Sequence, residues 1–255
     1  MGNVVTVMWY QHMQTEDCHM QRWCENAKAL QTLFNTTTTI ISNDDRVKEF
    51  CPRARILDTG LDSMFREYEI YVKRFANAPA QLYMHRVYLH KIAVLNPNFF
   101  AGPVIFLDTD VDISIGKAER HQFLDMKKVN ALFQKFLLST CRLQATADHS
   151  ALLNSGVMLV KPDEQMYKTA LGILETNRFN YTHGFEFKGL PKEVIISHPL
   201  GMVSKAKGYW ANTWQFVGGE SDQGLLAYLS MSTGQYCQPS DWSLRVRHFW
   251  ASDKP

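Results

Sequence analysis

The apolar run Pro103-Val104-Ile105-Phe106-Leu107, which stops abruptly at Asp108-Thr109-Asp110, constrains this chain more than any other feature. No polar residue interrupts it. A strand of this kind is covered on both faces, as central strands of α/β sheets are. Strand and helix signals alternate around it. Strand patterns lie at Val4 to Trp9, Thr36 to Ser42, Arg55 to Leu57, Arg142 to Ala147, Gly156 to Val160 and Leu244 to Phe249. Trp23, Ala27, Leu30 and Phe34 recur at helical spacing. Further helices are expected from about Leu61 to Phe75, from about Gln81 to Leu95, around Phe123 to Phe136, after Pro162-Asp163, and behind Ser221 as an N-cap. The pattern predicts an α/β architecture.

With 255 residues, no long linker and no low-complexity tract, a single domain over 1–255 is expected. The net charge of +2 excludes a strong polyanion-binding field, so nucleic acid is not an expected partner. No apolar run reaches the roughly 18 residues of a membrane span. Met1-Gly2-Asn3-Val4-Val5-Thr6 fits a myristoylation pattern, but Val4 onward reads as a core strand. Five scattered cysteines with no metal-ligand spacing predict free buried thiols in a reducing, cytoplasmic setting. Sequons at Asn35 and Asn180 are about as frequent as chance allows. Residues 177–219 form a loop-rich, aromatic stretch, read as a loop-rich subdomain over a site or as an irregular core patch.

The chemistry begins where the strand ends. Side chains alternate along a strand, so Asp108 and Asp110 point the same way and can share one hard cation. Turn or cap carboxylates, and an Asp-nucleophile phosphatase of the haloacid dehalogenase type, are the other readings. Asn154-Ser155-Gly156 precedes the apolar Val157 to Val160, and a glycine there lets another group approach the backbone. Ser221-Asp222-Gln223-Gly224 places an acid and an amide at a helix start, where they either cap the helix or face a ligand. His248 precedes Lys254 near the end of the sequence.

Taken in order, these segments resemble the family 8 retaining glycosyltransferases of the GT-A fold, the glycogenin and galactinol synthase group. The resemblance rests on Phe106 to Asp110 as a DxD motif, Asn154 to Val157, Asp222 to Leu226, and His248 with Lys254-Pro255. It covers nearly the whole chain. It implies a mixed, mostly parallel central sheet flanked by helices, and a metal-dependent retaining enzyme. That enzyme would move a hexose from a UDP-sugar to a carbohydrate, polyol or protein acceptor.

The resemblance also implies roles for single residues. Asp108, Asp110 and His248 would bind Mn2+ (or Mg2+). Val7, Tyr10, Arg86, Lys91, Asp108, Thr109, Asp110, Asn154, Ser155, Gly156 and Lys254 would bind the donor. Asp222, Gln223 and Lys91 are assigned to catalysis, with Asp222 the candidate carboxylate if a nucleophile exists. Two departures stand out: Ala251 replaces the family's glycine, and Pro255 falls where the family continues with a Trp. A Golgi lumen location is the alternative to the cytoplasm if the chain is a fragment lacking its anchor. A homo-oligomer is compatible with the reading. A non-catalytic sugar-nucleotide-binding protein on the same fold is the competing function.

Overall fold

A computed structural model describes residues 3–7, 21, 23–25, 27–28, 31–32, 35–75, 86–109, 111, 113–114, 124–145, 151–189, 214, 216, 218–234 and 236–237. The order is β1 (Asn3–Val7), β2 (Thr37–Ile41), a single turn α1 (Val47–Phe50), β3 (Arg55–Leu57), α2 (Asp62–Lys73) and α3 (Arg86–Leu89). The last of these continues as a 3-10 helix over His90–Leu95. Then come β4 (Val104–Leu107), a small ladder of β5 (Ile113–Ser114) with β6 (Leu124–Asp125), and α4 (Met126–Leu138). The chain goes on through β7 (Leu143–Ala145), β8 (Val157–Val160), α5 (Glu164–Glu175), the hairpin β9 (Phe179–Asn180) and β10 (Gly184–Phe185), α6 (Asp222–Ser232) and β11 (Tyr236–Cys237).

Seven strands form one sheet in the order β11-β7-β8-β4-β1-β2-β3. β8 alone runs against its neighbours, antiparallel to both β4 and β7. The other pairs are parallel. The architecture is therefore α/β with a mixed, mostly parallel sheet flanked by helices. The central strand is where the apolar run placed it. Val104 and Phe106 face one hydrophobic cluster with Val5, Val7 and residues of the helices. Ile105 and Leu107 face a second, with Val4, Phe133, Phe136 and Leu159. Phe106 is fully buried, and truncating such a side chain to Ala costs about 3–5 kcal/mol.

Local chemistry explains the start of one helix. Asp163 is extended and caps α5 by accepting a hydrogen bond from the Met166 amide at 2.9 Å. In the described part of the aromatic stretch Phe187 is exposed, and the other rings are packing. Phe179, Tyr181, Phe185, Trp214 and Phe216 are all buried, with Phe185 and Trp214 ring centroids 5.5 Å apart. Gly184 permits this: a Cβ there would lie 2.0 Å from the Trp214 indole, and its φ is 69°.

Two expectations are corrected or bounded. The cysteines are not all free thiols: Cys24 and Cys51 form a disulfide, and Cys141 is disulfide-bonded to a cysteine whose side chain lies outside the described residues. The spacing gave no hint because the partners meet only once the first helical segment packs beneath β2, where Trp23 and Ile40 share a cluster with Cys51. The strand expected at Leu244 to Phe249 lies outside the described residues. The edge strand β11, too short for a periodic signal, was not anticipated. No helix among the described residues is long and apolar enough to cross a membrane.

Candidate functional site

Reversal of β8 builds the site. Because β8 runs against β4, its first residue pairs with the last of β4, Val157 with Leu107. The turn before β8 is thereby brought to the carboxyl end of the parallel strands, where open α/β sheets bind ligands. The Asp108 amide donates to the Gly156 carbonyl at 2.8 Å. Asn154 closes that turn by accepting from the Gly156 amide at 2.9 Å. Val7, the last residue of β1, is buried at the same edge. Thr109 is half-buried beside Asp108.

Lys91 ties these segments together. It sits in the 3-10 continuation of α3, and all six residues of that turn are buried. Its Nζ lies 3.0 Å from Asp108 Oδ2, 2.9 Å from Asp108 Oδ1, 3.1 Å from the Ser155 hydroxyl and 3.1 Å from Asp222 Oδ2. The Phe106 ring lies beneath it, with the centroid at 5.4 Å. Burial by itself would depress the Lys91 pKa, but the Asp108 and Asp222 carboxylates override burial and hold it above the ordinary lysine value. Two carboxylates flank this one ammonium, and Asp108 is the more exposed of the two.

Asp222 enters from the start of α6. Ser155 donates its hydroxyl to Asp222 Oδ2 at 2.5 Å, and Ser221 donates to Oδ1 at 2.9 Å. Ser221 occupies the N-cap position with an extended backbone, yet its side chain makes no cap bond. The expected capping serine instead serves the carboxylate. Gln223 Oε1 accepts from the Ser155 amide at 3.4 Å. The helix can start this close to the preceding turn because residue 224 is glycine. Its amide donates to the Gly218 carbonyl at 2.8 Å, and a Cβ on it would come within 1.9 Å of the Gly219 carbonyl oxygen.

A second buried carboxyl lies behind Asp222. Glu220 is fully buried, and among the described residues neither of its side-chain oxygens has a hydrogen-bond partner. Burial, with the Asp222 charge adding to it, pushes its pKa up to about 8. Tyr68 donates to the Glu220 backbone carbonyl at 3.1 Å and so pins the turn rather than the acid. No motif marked Glu220. Its only sequence signal is its place next to Ser221-Asp222.

Arg86 is held by α2: its Nε lies 2.8 Å from Asp62 Oδ1 and its guanidinium 3.7 Å from Glu69 Oε2. His90 shares this region, with Nδ1 2.9 Å from the Thr59 hydroxyl. Burial depresses the His90 pKa to about 4, against the pull of Asp62, so the ring is neutral near pH 7. Tyr10, Asp110, His248 and Lys254 lie outside the described residues. Of the expected metal set only Asp108 is described, and it fits as a partly exposed hard-oxygen donor. Among the described residues no group of three His, Cys, Asp or Glu side chains is placed to hold a metal.

No protein-family model matches the chain, and no curated protein matches it.

Proposed function

We propose that this chain is a metal-dependent retaining glycosyltransferase that moves a hexose from a UDP-sugar, on a GT-A form of the observed α/β sheet. One observation carries the reading. Lys91 joins Asp108, Ser155 and Asp222, residues from three of the four segments on which the family resemblance rests, at a single point on the sheet edge.

The chemistry follows from charge. Breaking the bond between the sugar and a nucleoside diphosphate builds negative charge on the diphosphate and positive charge at the anomeric carbon. Asp108, Asp110 and His248 would hold Mn2+ (or Mg2+), and that cation supplies Lewis-acid stabilisation of the leaving diphosphate. Lys254 would grip the same group. Lys91 holds both oxygens of Asp108 in place. Asp222 and Gln223 would supply oxygens near the anomeric carbon, and Asn154 to Gly156 would border the sugar. Asp222 already accepts from Ser155, Ser221 and Lys91. Such donors stabilise the carboxylate and weaken it as a nucleophile. This favours front-face attack, with Asp222 stabilising the developing cation, over a covalent sugar on Asp222.

The reading is tested by assaying a panel of UDP-hexoses for UDP release with and without manganese. Metal-dependent release from one donor supports it. Phosphate release from generic phosphoesters would instead favour an Asp108 nucleophile.

A further inference from the structure

We propose that Asn35 is an N-glycan acceptor and that the chain matures in an oxidising secretory lumen. The inference is independent of the transferase reading. It joins two observations on one stretch of chain.

The first is redox. Cys24 and Cys51 are bonded across a sequence separation of 27, and Cys141 is bonded as well. Disulfides of this kind form and persist in secretory compartments and are reduced in the cytosol. The second is the sequon Asn35-Thr36-Thr37, which lies within the loop that the Cys24–Cys51 bond closes. Asn35 is exposed in a turn, with φ of 45°. Asparagine tolerates that left-handed conformation better than most residues. Its side-chain amide makes no hydrogen bond among the described residues. Thr37, the hydroxyl residue of the sequon, is also exposed, and it donates to the Oδ1 of half-buried Asn3 at 3.0 Å.

The second sequon, Asn180-Tyr181-Thr182, is unlike this one. Asn180 is half-buried in a hairpin strand, and its Oδ1 accepts from the Thr182 amide at 3.0 Å and the His183 amide at 2.6 Å. The intervening Tyr181 is buried. Its local structure is committed to the fold, whereas Asn35 has room for a large substituent.

Position also favours Asn35. It precedes β2, whose first residue pairs with Asn3 at the start of β1. This is the amino-terminal edge of the parallel strands, opposite the edge that carries Asp108. Roughly 13 Å of strand separates the two edges, so a glycan on Asn35 leaves the candidate site open. In the transfer, Asn35 Nδ2 attacks the anomeric carbon of an oligosaccharide carried on a polyisoprenyl diphosphate. The C–N bond forms, and the carbon–oxygen bond to the diphosphate breaks with its electron pair. The amide proton passes to a base of the host transferase.

The test expresses the full chain behind a cleavable leader in a eukaryotic secretory host. Three variants, Asn35→Gln, Thr37→Ala and Asn180→Gln, are run beside the wild type, each with and without a peptide N-glycosidase. Glycopeptide mass spectrometry of the wild type reads the site without relying on any variant's folding, and alkylation before reduction reads the thiols. A single glycan on Asn35, lost in N35Q and T37A and retained in N180Q, with Cys24 and Cys51 blocked, is the expected result. An unmodified Asn35 peptide, a shift that persists in N35Q, or freely alkylated Cys24 and Cys51 would overturn the proposal.

Discussion

The Lys91 ammonium lies 3.1 Å from Asp222 Oδ2, both side chains buried, while the same nitrogen holds both oxygens of Asp108. Removing one partner of such a group leaves the others charged in a poor solvent, which is worse than never burying them. Lys91→Met is therefore expected to lower stability by about 3–5 kcal/mol. Pairing it with Asp222→Asn should recover part of that loss, because the second change removes the stranded charge. Denaturant titration of the two single variants and the double variant checks this, and purely additive losses would contradict the coupling.

Ser155→Ala removes a hydroxyl that donates to Asp222 and accepts from Lys91. A cost of about 1–3 kcal/mol in stability is expected, since buried charged groups lose a partner. UDP release should fall with it, and the fall should lie in kcat rather than KM. Equal activity in the variant would show that the hydroxyl does not orient Asp222.

Glu220 and His90 set opposite pH trends. Glu220 is protonated in the fold up to about pH 8, whereas its ordinary value is 4.5. The unfolded chain loses that proton first, so stability falls as pH rises from about 4.5 to about 8. His90 is neutral in the fold down to about pH 4 against an ordinary 6.5, so stability falls as pH drops through that window. Between 6.5 and 8 only the Glu220 trend operates of these two. Thermal melts across this range should show Tm decreasing with pH in the wild type. In Glu220→Gln they should show a flatter profile with a higher Tm at pH 8. A wild-type profile that rises over this range would contradict the assignment.

The Cys24–Cys51 bond closes a loop of sequence separation 27. Chain-entropy arguments give such a closure about 3–4 kcal/mol. Cys24→Ser with Cys51→Ser should lower the denaturation midpoint accordingly without changing which residues meet at Lys91. An unchanged midpoint would show that the bond does not constrain the unfolded chain.

How far the sequence reaches depends on the kind of signal. The β4 run was legible because an unbroken apolar strand has few other places to go, and the start of α5 was legible because Asp163 is a capping residue with ordinary geometry. The site segments were legible as ordered motifs. Their meeting point was not, because it depends on β8 running antiparallel, and nothing in Val157 to Val160 encodes direction. Ser221 read as a cap because a serine before a helix usually is one; only the neighbouring Asp222 diverts its hydroxyl. The cysteine pairing was invisible because it depends on how the first helical segment packs on β2. The edge strand β11 escaped because two residues carry no period.

The central claim is that the edge holding Asp108, Lys91 and Asp222 transfers a hexose from a UDP-sugar. The most direct measurement is UDP release from a panel of UDP-hexoses with manganese, by the wild type and by Asp108→Asn. The account predicts release from one donor that requires the metal and drops by about 10²–10³ in the variant, the usual scale for losing one charge-stabilising group. Tight, metal-independent UDP binding with no release from any donor, unchanged in Asp108→Asn, would contradict it.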